Sequence, residues 1–517
     1  MKTIGIYAGH DQGAAAVEDG RVLLAMEEER PTRRKHAEPP PHHPGETLAW
    51  LAGQGHTLQD ADRVALADPL PHQGALRDGI ASVELDVALE PKVRLVEHHL
   101  AHAALGVAWS GWDDCHVLVI DGGGSVSYAL AARAVGGRLE EIARDDMANA
   151  RSIMNPGLFY LLCTQALGFK PVRDEGKVMC LAARGDKARF PRLFHDRYEV
   201  KPFEVTDRRM PGAERKDGTW TPSRDAIREI IGVDPQDESV RADVAAQVQD
   251  FFEHLVWTDV RAHVPRGCRL ALAGGCFASV TINRQLLDWA SEVFVAPAMN
   301  DGGLAAGAAL YAEQDGLLRP YRVPHVYLGH DAGESSADPR QVARRLANGA
   351  TVGVCQGRSE YGPRALGHRS ILADPRDPQM PAKVGGQLRR DLFMPFAPVM
   401  LDEEADRILE PTWRRAAHAA EFMTVAFAVQ EGWRERLPAV VHVDGTCRPQ
   451  VLREEVNPFV YAVLREFKAI TGVGVLLNTS FNRHGLPIIH GAEDALDHLA
   501  EGCADELVLG RGGEIDG

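Results

Sequence analysis

Three features that would point to common protein classes are missing from this chain of 517 residues. None of its eight cysteines forms a Cys-x-x-Cys pair, which argues against a zinc ribbon or a disulfide framework and favours a reducing, cytoplasmic setting. No apolar run approaches the length that crosses a bilayer, so we expect no membrane partner. The opening segment MKTIGIYAGHDQGAAAV has neither the basic region nor the apolar core of a signal peptide.

Positive charge is also scarce. Lys and Arg number 57 against 73 Asp and Glu, so the formal net charge is -16. A nucleic-acid binder usually carries a basic face, and we therefore expect no nucleic-acid partner. An anionic substrate would have to be bound by a local cluster of Arg and Lys, which makes such clusters candidate sites.

What the chain does contain is a repeated unit. TIGIYAG, HDQG and AAAVEDGRVLLAMEEE read as strand, turn and strand, and CHVLVIDGGG followed by SVSYALAARAVGGRLEEIA repeats that pattern. Two copies predict a duplicated α/β fold in which the glycine-rich turns of both halves face one cleft. The stretch LLRPYRVPHVYLGHDAGESS is rich in Pro, Gly and Ser and is typical of a linker. We therefore predict two domains, 1–325 and 340–517, of which the second is also α/β.

A histidine pair gives the first candidate site. His98 and His102 are four residues apart in VEHHLAHAAL, so a helix places both rings on one face, within reach of one metal ion. On spacing alone, a metal site and a pair of buried, hydrogen-bonded histidines are equally good interpretations. Asp121 in VIDGGG and Asp301 in MNDGG each follow a strand at a glycine turn, where active-site residues often emerge. The four residues form a nitrogen and oxygen donor set suited to Fe(II), manganese or zinc.

Further motifs run along nearly the whole chain in a fixed order. They are GHDQGAAAVEDG, EEERPTRRKH, VEHHLAHAA, VIDGGG, EGKVMCLAARG, LAGGCFASVTIN, PAMNDGGLAAGAA, GRSEYGPRALGHRSILADPR, PFAP, DGTCRPQVL and LLNTSFNRHGLPI. Together they resemble the nodulation-type O-carbamoyltransferase family, which includes nebramycin and cephalosporin carbamoyltransferases. The resemblance implies an N-terminal domain of the actin and sugar-kinase superfamily, similar to the threonylcarbamoyl-transferase fold, and a YrdC-like C-terminal domain.

The resemblance also implies a reaction. The YrdC-like domain would form carbamoyl-adenylate from carbamoyl phosphate and ATP, and the first domain would transfer the carbamoyl group to a hydroxyl of a small-molecule natural product. In the family an H-x3-H pair and two aspartates hold an iron-type metal, Fe(II), and these fall here on His98, His102, Asp121 and Asp301. His99 then becomes a neighbour of the site and not a ligand. A homodimer is the expectation for an oligomeric state that the sequence leaves open.

Two basic residues of the first domain match catalytic positions of the family. His10 matches a histidine that contacts the carbamoyl group, and Lys35 matches a residue that binds carbamoyl oxygen or phosphate. A packed turn histidine and a solvated basic loop are the alternatives, and Lys177 in EGKVM is a further candidate. The predicted nucleotide contacts, which tight turns and a helix cap would also explain, are Gly122, Gly123, Gly124, Gly274, Gly275, Asn283 and Gly302.

The second domain offers an anion site, because arginine suits bidentate phosphate recognition. The predicted ligands of carbamoyl phosphate and ATP there are Arg358, Arg364, Arg369, Arg448, Ser480 and Asn482. One part departs from the family, in which a lysine and, six residues later, an arginine precede PFAP; here Leu388 and Met394 stand at those positions. Lys383, Arg389 and Arg390 are the candidate replacements. The departure predicts a site that is altered, slower or tuned to a different phosphate donor.

Three other functions stay open at this point. A sugar kinase or ATPase of the same superfamily would need a catalytic carboxylate where HHLAH supplies metal ligands. A tRNA threonylcarbamoyl-transfer factor is disfavoured by the net charge. A regulator with a degenerate adenylation domain would fit Leu388 and Met394, and would use carbamoyl-adenylate without making it.

Overall fold

The structure is a computed structural model, and it describes residues 1–37, 44–67, 87–123, 127–145, 154–207 and 222–510. Its first part is built on two five-stranded sheets of the same design. The strand order of the first sheet is Arg21–Glu27, Gly13–Glu18, Lys2–Tyr7, Arg63–Ala67 and Val93–Val96. The corresponding order of the second sheet is Arg138–Arg144, Ala129–Val135, Asp114–Ile120, Arg269–Ala273 and Glu292–Val295.

The two sheets also agree in strand direction. In each sheet three consecutive strands form an antiparallel meander, and two later strands extend the sheet in parallel from the first strand of the meander. Alanine and branched aliphatic residues fill the central strands, as expected for sheets covered on both faces. The predicted duplicated α/β architecture is confirmed.

Two helices occupy equivalent places in the two copies. His98–Ser110 follows the last strand of the first sheet, and Leu304–Glu313 follows the last strand of the second. The helices pack against each other, and each also packs on the sheet of the other copy. Glu97 starts the first of them, because its carboxylate accepts hydrogen bonds from the free N–H groups of His99 and Leu100. The crossing of these helices therefore sets where both histidines of the candidate site lie.

We expect Gly307→Ala to disturb this crossing. A Cβ on Gly307 would lie 2.0 Å from the carbonyl oxygen of Ala101, so the two helices would have to move apart. The free energy of unfolding should fall by about 1–3 kcal/mol, the usual cost of overpacking, in a denaturant titration. Gly53→Ala is the control, because no atom lies within 4 Å of its added Cβ. Equal stability of the two variants would contradict a backbone-to-backbone crossing at Gly307.

Additional elements surround the duplicated core. A hairpin of Tyr198–Lys201 and Glu204–Asp207 lies between the helices of this region. The remaining α-helices before residue 320 are Glu29–Thr32, Gly45–Gly53, Pro156–Ala166, Glu175–Ala182, Arg224–Ile231, Glu238–His263 and Val280–Gln285. Short 3-10 turns cover Lys35–Ala37, Val87–Lys92, Gly275–Ala278, Leu286–Asp288 and Asp301–Gly303. Among the helices of the described ranges, none combines the length and the apolar character that a membrane crossing requires.

The C-terminal part is built on a mixed six-stranded sheet. Its strand order is Gln450–Leu452, Ala397–Leu401, Val475–Ser480, Arg369–Ala373, Val352–Cys355 and Glu506–Leu509. The two edge pairs are parallel and the central pairs are antiparallel. Its helices are Pro339–Ala347, Met380–Gln387, Ala405–Ile408, Ala417–Ala420, Glu431–Arg434, Pro458–Thr471 and Ala492–Ala500, with 3-10 turns at Asp402–Glu404 and Pro411–Ala416 and a short ladder of Phe427–Ala428 with Thr446–Cys447. An α/β C-terminal part is thus confirmed, while its YrdC-like identity stays a prediction.

The stretch predicted to be a linker is part of the packed structure. It forms the strand Tyr327–Asp331, which pairs with Arg358–Glu360. Leu318, Val323 and Val326 are buried. The stretch is rich in proline and glycine, but its aliphatic side chains find partners that composition does not reveal. The domain limits at 325 and 340 stay predictions.

Buried polar contacts join the C-terminal part to the duplicated sheets. The Tyr361 hydroxyl donates to the carbonyl oxygen of Gly302. The Gly362 N–H donates to Glu27 Oε1 at 2.7 Å, and Arg30 Nη2 donates to the Gly362 carbonyl oxygen at 2.8 Å. The loop that carries Tyr361 and Gly362 therefore reaches the glycine turn that ends the second sheet.

Candidate metal centre and anion site

Four side chains meet where the two sheet copies face each other. His98 and His102 lie in the first two turns of the helix His98–Ser110. Asp121 and Asp301 each follow a strand of the second sheet. The fold brings these predicted ligands together, with one nitrogen or oxygen atom of each lying within 4.8 Å of the others. The two histidines and Asp301 are buried, and Asp121 is nearly so.

The distances within this set suit a shared cation. His102 Nε2 lies 3.3 Å from a carboxylate oxygen of Asp121 and 3.3 Å from one of Asp301. His98 Nε2 lies 3.5 Å from Asp301 Oδ1 and is buried without a hydrogen-bond partner. Metal bonds of about 2.0–2.2 Å separate ligand atoms on opposite sides by roughly 4 Å. The residues present therefore fit a metal ion after small movements of their side chains.

The electrostatics of the set point the same way. Burial lowers the pKa of His102, but its hydrogen bonds to Asp121 and Asp301 outweigh this and raise the pKa to about 9. Burial and the charge of Asp301 raise the pKa of Asp121, while His102 and His98 more than offset them and hold it below its usual value. Two carboxylates in one buried site thus favour a positive charge between them, which a divalent cation supplies as well as a proton does.

Groups at the end of the first strand complete the cleft. His10 Nδ1 lies 3.3 Å from Asp301 Oδ2, and the His10 side chain is 43% exposed at the mouth of the site. The Tyr7 hydroxyl donates to the same carboxylate oxygen at 2.6 Å. Asp11 lies 2.7 Å from Nδ1 of His36, whose ring stacks near that of His10. Sequence reasoning missed Tyr7 and His36, although the place of Tyr7 at the end of a buried strand next to His10 was a usable signal.

The predicted nucleotide-binding glycines divide into two groups. Gly122 and Gly123 are exposed, and no atom lies within 4 Å of a Cβ built on Gly122, so a ligand has room to approach this turn. Gly124 lies outside the described residues. The other three glycines are held by the protein: Gly274, Gly275 and Gly302.

Each of those three glycines has a structural task. The Gly275 N–H donates to Asp121 Oδ2 at 2.8 Å and so orients a predicted metal ligand. Gly274 has a φ of +95°, and a Cβ there would lie 2.4 Å from the carbonyl oxygen of Ile120. Only glycine suits that backbone conformation and that close approach. Gly302 receives the hydrogen bond from the C-terminal part described above.

Asn283 does not reach the cleft, contrary to the predicted nucleotide contact. Its side chain is fully buried, and its amide donates to the carbonyl oxygens of Phe277 at 2.7 Å and Thr424 at 2.8 Å. It therefore ties the first part of the chain to the C-terminal part.

Lys35 is half-buried in the turn next to His36, and its main-chain carbonyl accepts a hydrogen bond from Arg173.

Three arginines converge at the junction between the two parts of the chain. They are Arg364, Arg390 and Arg448, and the charges of all three, together with that of the exposed Arg184, act on the thiol of Cys180. Arg364 Nη2 lies 3.4 Å from the carbonyl oxygen of Ala278, at the edge of the first part. Burial, with repulsion from the neighbouring guanidinium groups as a smaller cause, lowers the pKa of Arg364 to about 10 and that of Arg448 well below its ordinary value. Such a cluster is a ready site for a multiply charged anion.

Comparison with known proteins matches both parts of the chain to one family. The sequence model of the carbamoyltransferase N-terminus matches residues 74–310, and that of the carbamoyltransferase C-terminus matches residues 343–512. The chain belongs to the carbamoyltransferase family. The resemblance to a carbamoyltransferase family that the sequence motifs indicate is thereby confirmed.

Named relatives of this carbamoyltransferase extend over almost its whole length. Nodulation protein NolNO of Sinorhizobium fredii is 33% identical over 549 residues, covering 97% of this chain and 78% of that protein. The 3'-hydroxymethylcephem-O-carbamoyltransferase of Streptomyces clavuligerus is 28% identical over 541 residues, covering 99% of this chain and 98% of that protein. The enzyme class is therefore established at the level of the family.

Other predicted anion ligands of the carbamoyltransferase lie apart from the three arginines. Arg369 is fully buried, and its three nitrogens donate to main-chain carbonyl oxygens of Gln356, Gly357, His368, His330 and His490. It holds loops together and has no nitrogen free of such a bond, which corrects the predicted phosphate contact. Arg358 lies half-buried in the short strand Arg358–Glu360.

The two remaining candidates, Ser480 and Asn482, lie at and just after the end of the strand Val475–Ser480. Ser480 is half-buried at the end of Val475–Ser480, next to Thr479. The Asn482 amide donates to the carbonyl oxygens of Arg483 at 3.0 Å and Leu486 at 2.8 Å, so it shapes its own loop.

The candidate replacements for the missing cations behave differently from one another. Lys383 forms an ion pair with Asp505, and Arg389 is exposed. Only Arg390 joins Arg364 and Arg448. Leu388 itself is 2% exposed and packs in the core, which explains why no charged group is found at that position.

Proposed function

We propose that this carbamoyltransferase makes carbamoyl-adenylate from carbamoyl phosphate and ATP at the arginine cluster and transfers the carbamoyl group to a hydroxyl of a small-molecule natural product at the His–Asp centre. The observation that carries the proposal is the presence of both sites on one chain. One is a buried cation site of two imidazoles and two carboxylates, and the other is a group of three arginines without a carboxylate ion-pair partner among the described residues. Relatives named for cephem O-carbamoylation support a small hydroxyl acceptor.

The arginine cluster fits the first half of this reaction. Adenylation needs an oxygen nucleophile, so carbamoyl phosphate must first lose its phosphate to water and leave carbamate. Carbamate then attacks the α-phosphorus of ATP, and pyrophosphate leaves. Each step develops or releases phosphate charge, which guanidinium groups stabilise with paired N–H donors. Arg448 suits this role best, because within the described residues no hydrogen bond occupies its nitrogens.

The His–Asp centre fits the second half. An acceptor hydroxyl attacks the carbamoyl carbon of the adenylate, loses its proton and displaces AMP. His98, His102, Asp121 and Asp301 would hold the metal, Fe(II) by the family resemblance, which when bound polarises phosphate or carbonyl oxygen. His10 has Nδ1 engaged with Asp301, while its Nε2 lies 3.7 Å from Asp11 Oδ2, beyond hydrogen-bond distance, and can contact the carbamoyl oxygen. The exposed turn at Gly122 and Gly123 leaves room for the adenylate beside it.

The proposal is tested by separating the two half-reactions. Purified protein loaded anaerobically with Fe(II) should release pyrophosphate from ATP only when carbamoyl phosphate is present. A hydroxyl acceptor should then gain the mass of a carbamoyl group, with AMP as the co-product. An acceptor that instead gains a phosphoryl group would show a sugar-kinase-like enzyme. Transfer from supplied carbamoyl-adenylate without any pyrophosphate release would show a degenerate adenylation domain.

A further inference from the structure

The carboxylate of Asp301 uses its two oxygens for different neighbours. Oδ1 faces the imidazoles of the candidate metal centre, 3.3 Å from His102 Nε2 and 3.5 Å from His98 Nε2. Oδ2 accepts a hydrogen bond of 2.6 Å from the Tyr7 hydroxyl and lies 3.3 Å from His10 Nδ1. The carboxylate therefore offers one oxygen to a cation beside the two imidazoles and gives the other to groups at the end of the first strand.

Tyr7 reaches this position because it is the last residue of the central strand of the first sheet, Lys2–Tyr7. Its ring meets that of His98 edge to face, with the ring centroids 6.2 Å apart. Gly9 leaves the space that the hydroxyl occupies, since a Cβ there would lie 2.1 Å from the Tyr7 oxygen. One side chain thus contacts two of the four candidate metal ligands, His98 through its ring and Asp301 through its hydroxyl.

The bond between Tyr7 and Asp301 is of a kind that fixes a carboxylate. An ionised carboxylate only accepts hydrogen bonds, so the hydroxyl is the donor, and charge-assisted bonds of this type are stronger than bonds between neutral groups. Both residues are only 5% exposed, so water has little access to compete for the bond. Without it the carboxylate would be free to rotate about its terminal torsion, which has only broad, roughly two-fold preferences, and to present both oxygens to a cation.

We propose that Tyr7 is a positioning residue of the metal centre, whose hydroxyl binds Oδ2 of Asp301 and leaves Oδ1 as the only oxygen of that carboxylate that a metal ion contacts. Tyr7 acts through Asp301 and is not itself a ligand. Loss of a partner that orients a metal ligand changes metal affinity or activity by about 10- to 100-fold. The inference rests on the metal centre of the proposed function and extends it to the side chain that determines how Asp301 binds.

The test compares Tyr7→Phe with Tyr160→Phe in the full-length protein. Tyr160 is the matched control, because its buried hydroxyl also donates to a side-chain oxygen, Gln249 Oε1 at 2.8 Å, and both residues lie outside the four-residue set. Fe(II) affinity is measured anaerobically on metal-free protein in competition with a chromogenic chelator. Tyr7→Phe should bind Fe(II) about 10- to 100-fold more weakly, and Tyr160→Phe should bind it like the unmodified protein. Equal affinity of all three proteins would overturn the positioning role.

A spectroscopic measurement separates this role from a general loss of structure. Co(II) replaces Fe(II) as a probe, because its visible absorption bands depend on the number and arrangement of its ligands. Tyr7→Phe should change these bands at full occupancy, since Asp301 can then bind through both oxygens. A merely structural defect would lower the amount of Co(II) bound and leave the bands as they are, and unchanged bands at full occupancy therefore contradict the proposal.

A second variant covers the case in which Tyr7→Phe does not fold, which a denaturant titration of the metal-free proteins would show. Gly9→Ala keeps the tyrosine but places a Cβ where its hydroxyl lies, so the hydroxyl must leave Asp301. It should weaken Fe(II) binding to the same degree as Tyr7→Phe. Fe(II) affinity equal to that of the unmodified protein in a folded Gly9→Ala variant would count against the proposal.

Failure of the inference and failure of the proposed function give different results. If Tyr7→Phe weakens Fe(II) binding and changes the Co(II) bands, but the unmodified protein transfers no carbamoyl group, the positioning role stands and the proposed reaction falls. If the unmodified protein transfers the carbamoyl group in the presence of Fe(II) and Tyr7→Phe matches Tyr160→Phe, the reaction stands and the role of Tyr7 falls.

Discussion

Replacing His98 with alanine should empty the metal centre and stop carbamoyl transfer together. His98 Nε2 is buried, lacks a hydrogen-bond partner and lies 3.5 Å from Asp301, so it has no structural bond to lose. We expect metal content, measured by elemental analysis, to fall from about one ion per chain to near none. Transfer from supplied carbamoyl-adenylate should fall by more than about 100-fold, since even groups that only orient metal ligands change activity by about 10- to 100-fold.

The neighbouring histidine provides a matched control for this variant. His99 lies on the same helix and is also buried, but its Nδ1 lies 3.2 Å from Glu97 and 3.1 Å from Ser127, and it is not a member of the four-residue set. His99→Gln should therefore keep the metal. Pyrophosphate release should survive in both variants, because it occurs at the other site. Full transfer activity in a metal-free His98→Ala protein would refute a metal-dependent transfer step.

Replacing Arg448 with methionine should slow the adenylation half-reaction and leave the transfer half-reaction intact, which is the reverse of the result expected for His98→Ala. Arg448 lies beside Arg364 and Arg390, and the part of the chain that the structure describes gives its nitrogens no partner. Losing a forked guanidinium from a phosphate site should slow pyrophosphate release by about 100-fold at fixed substrate concentration. Transfer from supplied carbamoyl-adenylate should be unchanged.

An exposed arginine of the same C-terminal part serves as the control for this second variant. Arg465 lies on the outer face of the helix Pro458–Thr471, and Arg465→Met should leave both half-reactions intact. If Arg448→Met releases pyrophosphate at the rate of the unmodified protein, Arg448 has no role in the adenylation half-reaction. Loss of transfer from supplied adenylate would instead show that the two sites cannot be separated by mutation.

Local patterns predicted the duplicated core and the grouping of the metal-ligand set well. The order strand, turn and strand occurs twice. Of the four metal ligands, the two histidines are one helical turn apart and the two aspartates each follow a strand, and both patterns are visible in the sequence. Asn283 and Arg369 are predicted from the sequence to contact ligands, but both side chains are fully buried. Their burial depends on loops more than a hundred residues away, namely those of Thr424 for Asn283 and His490 for Arg369, and no local pattern carries that information.

The same limit explains what sequence reasoning passed over. Arg390 was one of three basic residues near the missing cations, and only the side-chain directions, with Thr479 and Phe396 as supports, single it out. His36 is one of several basic groups in RPTRRKH, and the turn that brings it to Asp11 is not a regular element. The linker prediction failed for a related reason, since proline and glycine content indicates where a helix ends but not whether the segment is buried.

Neither copy of the repeated fold holds the metal centre alone. The first copy contributes two imidazoles from the helix after its last strand, and the second contributes two carboxylates from its strand ends. A symmetric pair of first copies would offer four imidazoles, and a symmetric pair of second copies would offer four carboxylates, which suit different metals. The mixed donor set therefore exists only because two unlike copies are joined in one chain, and the loss of symmetry between them is what determines which ions the centre can accept.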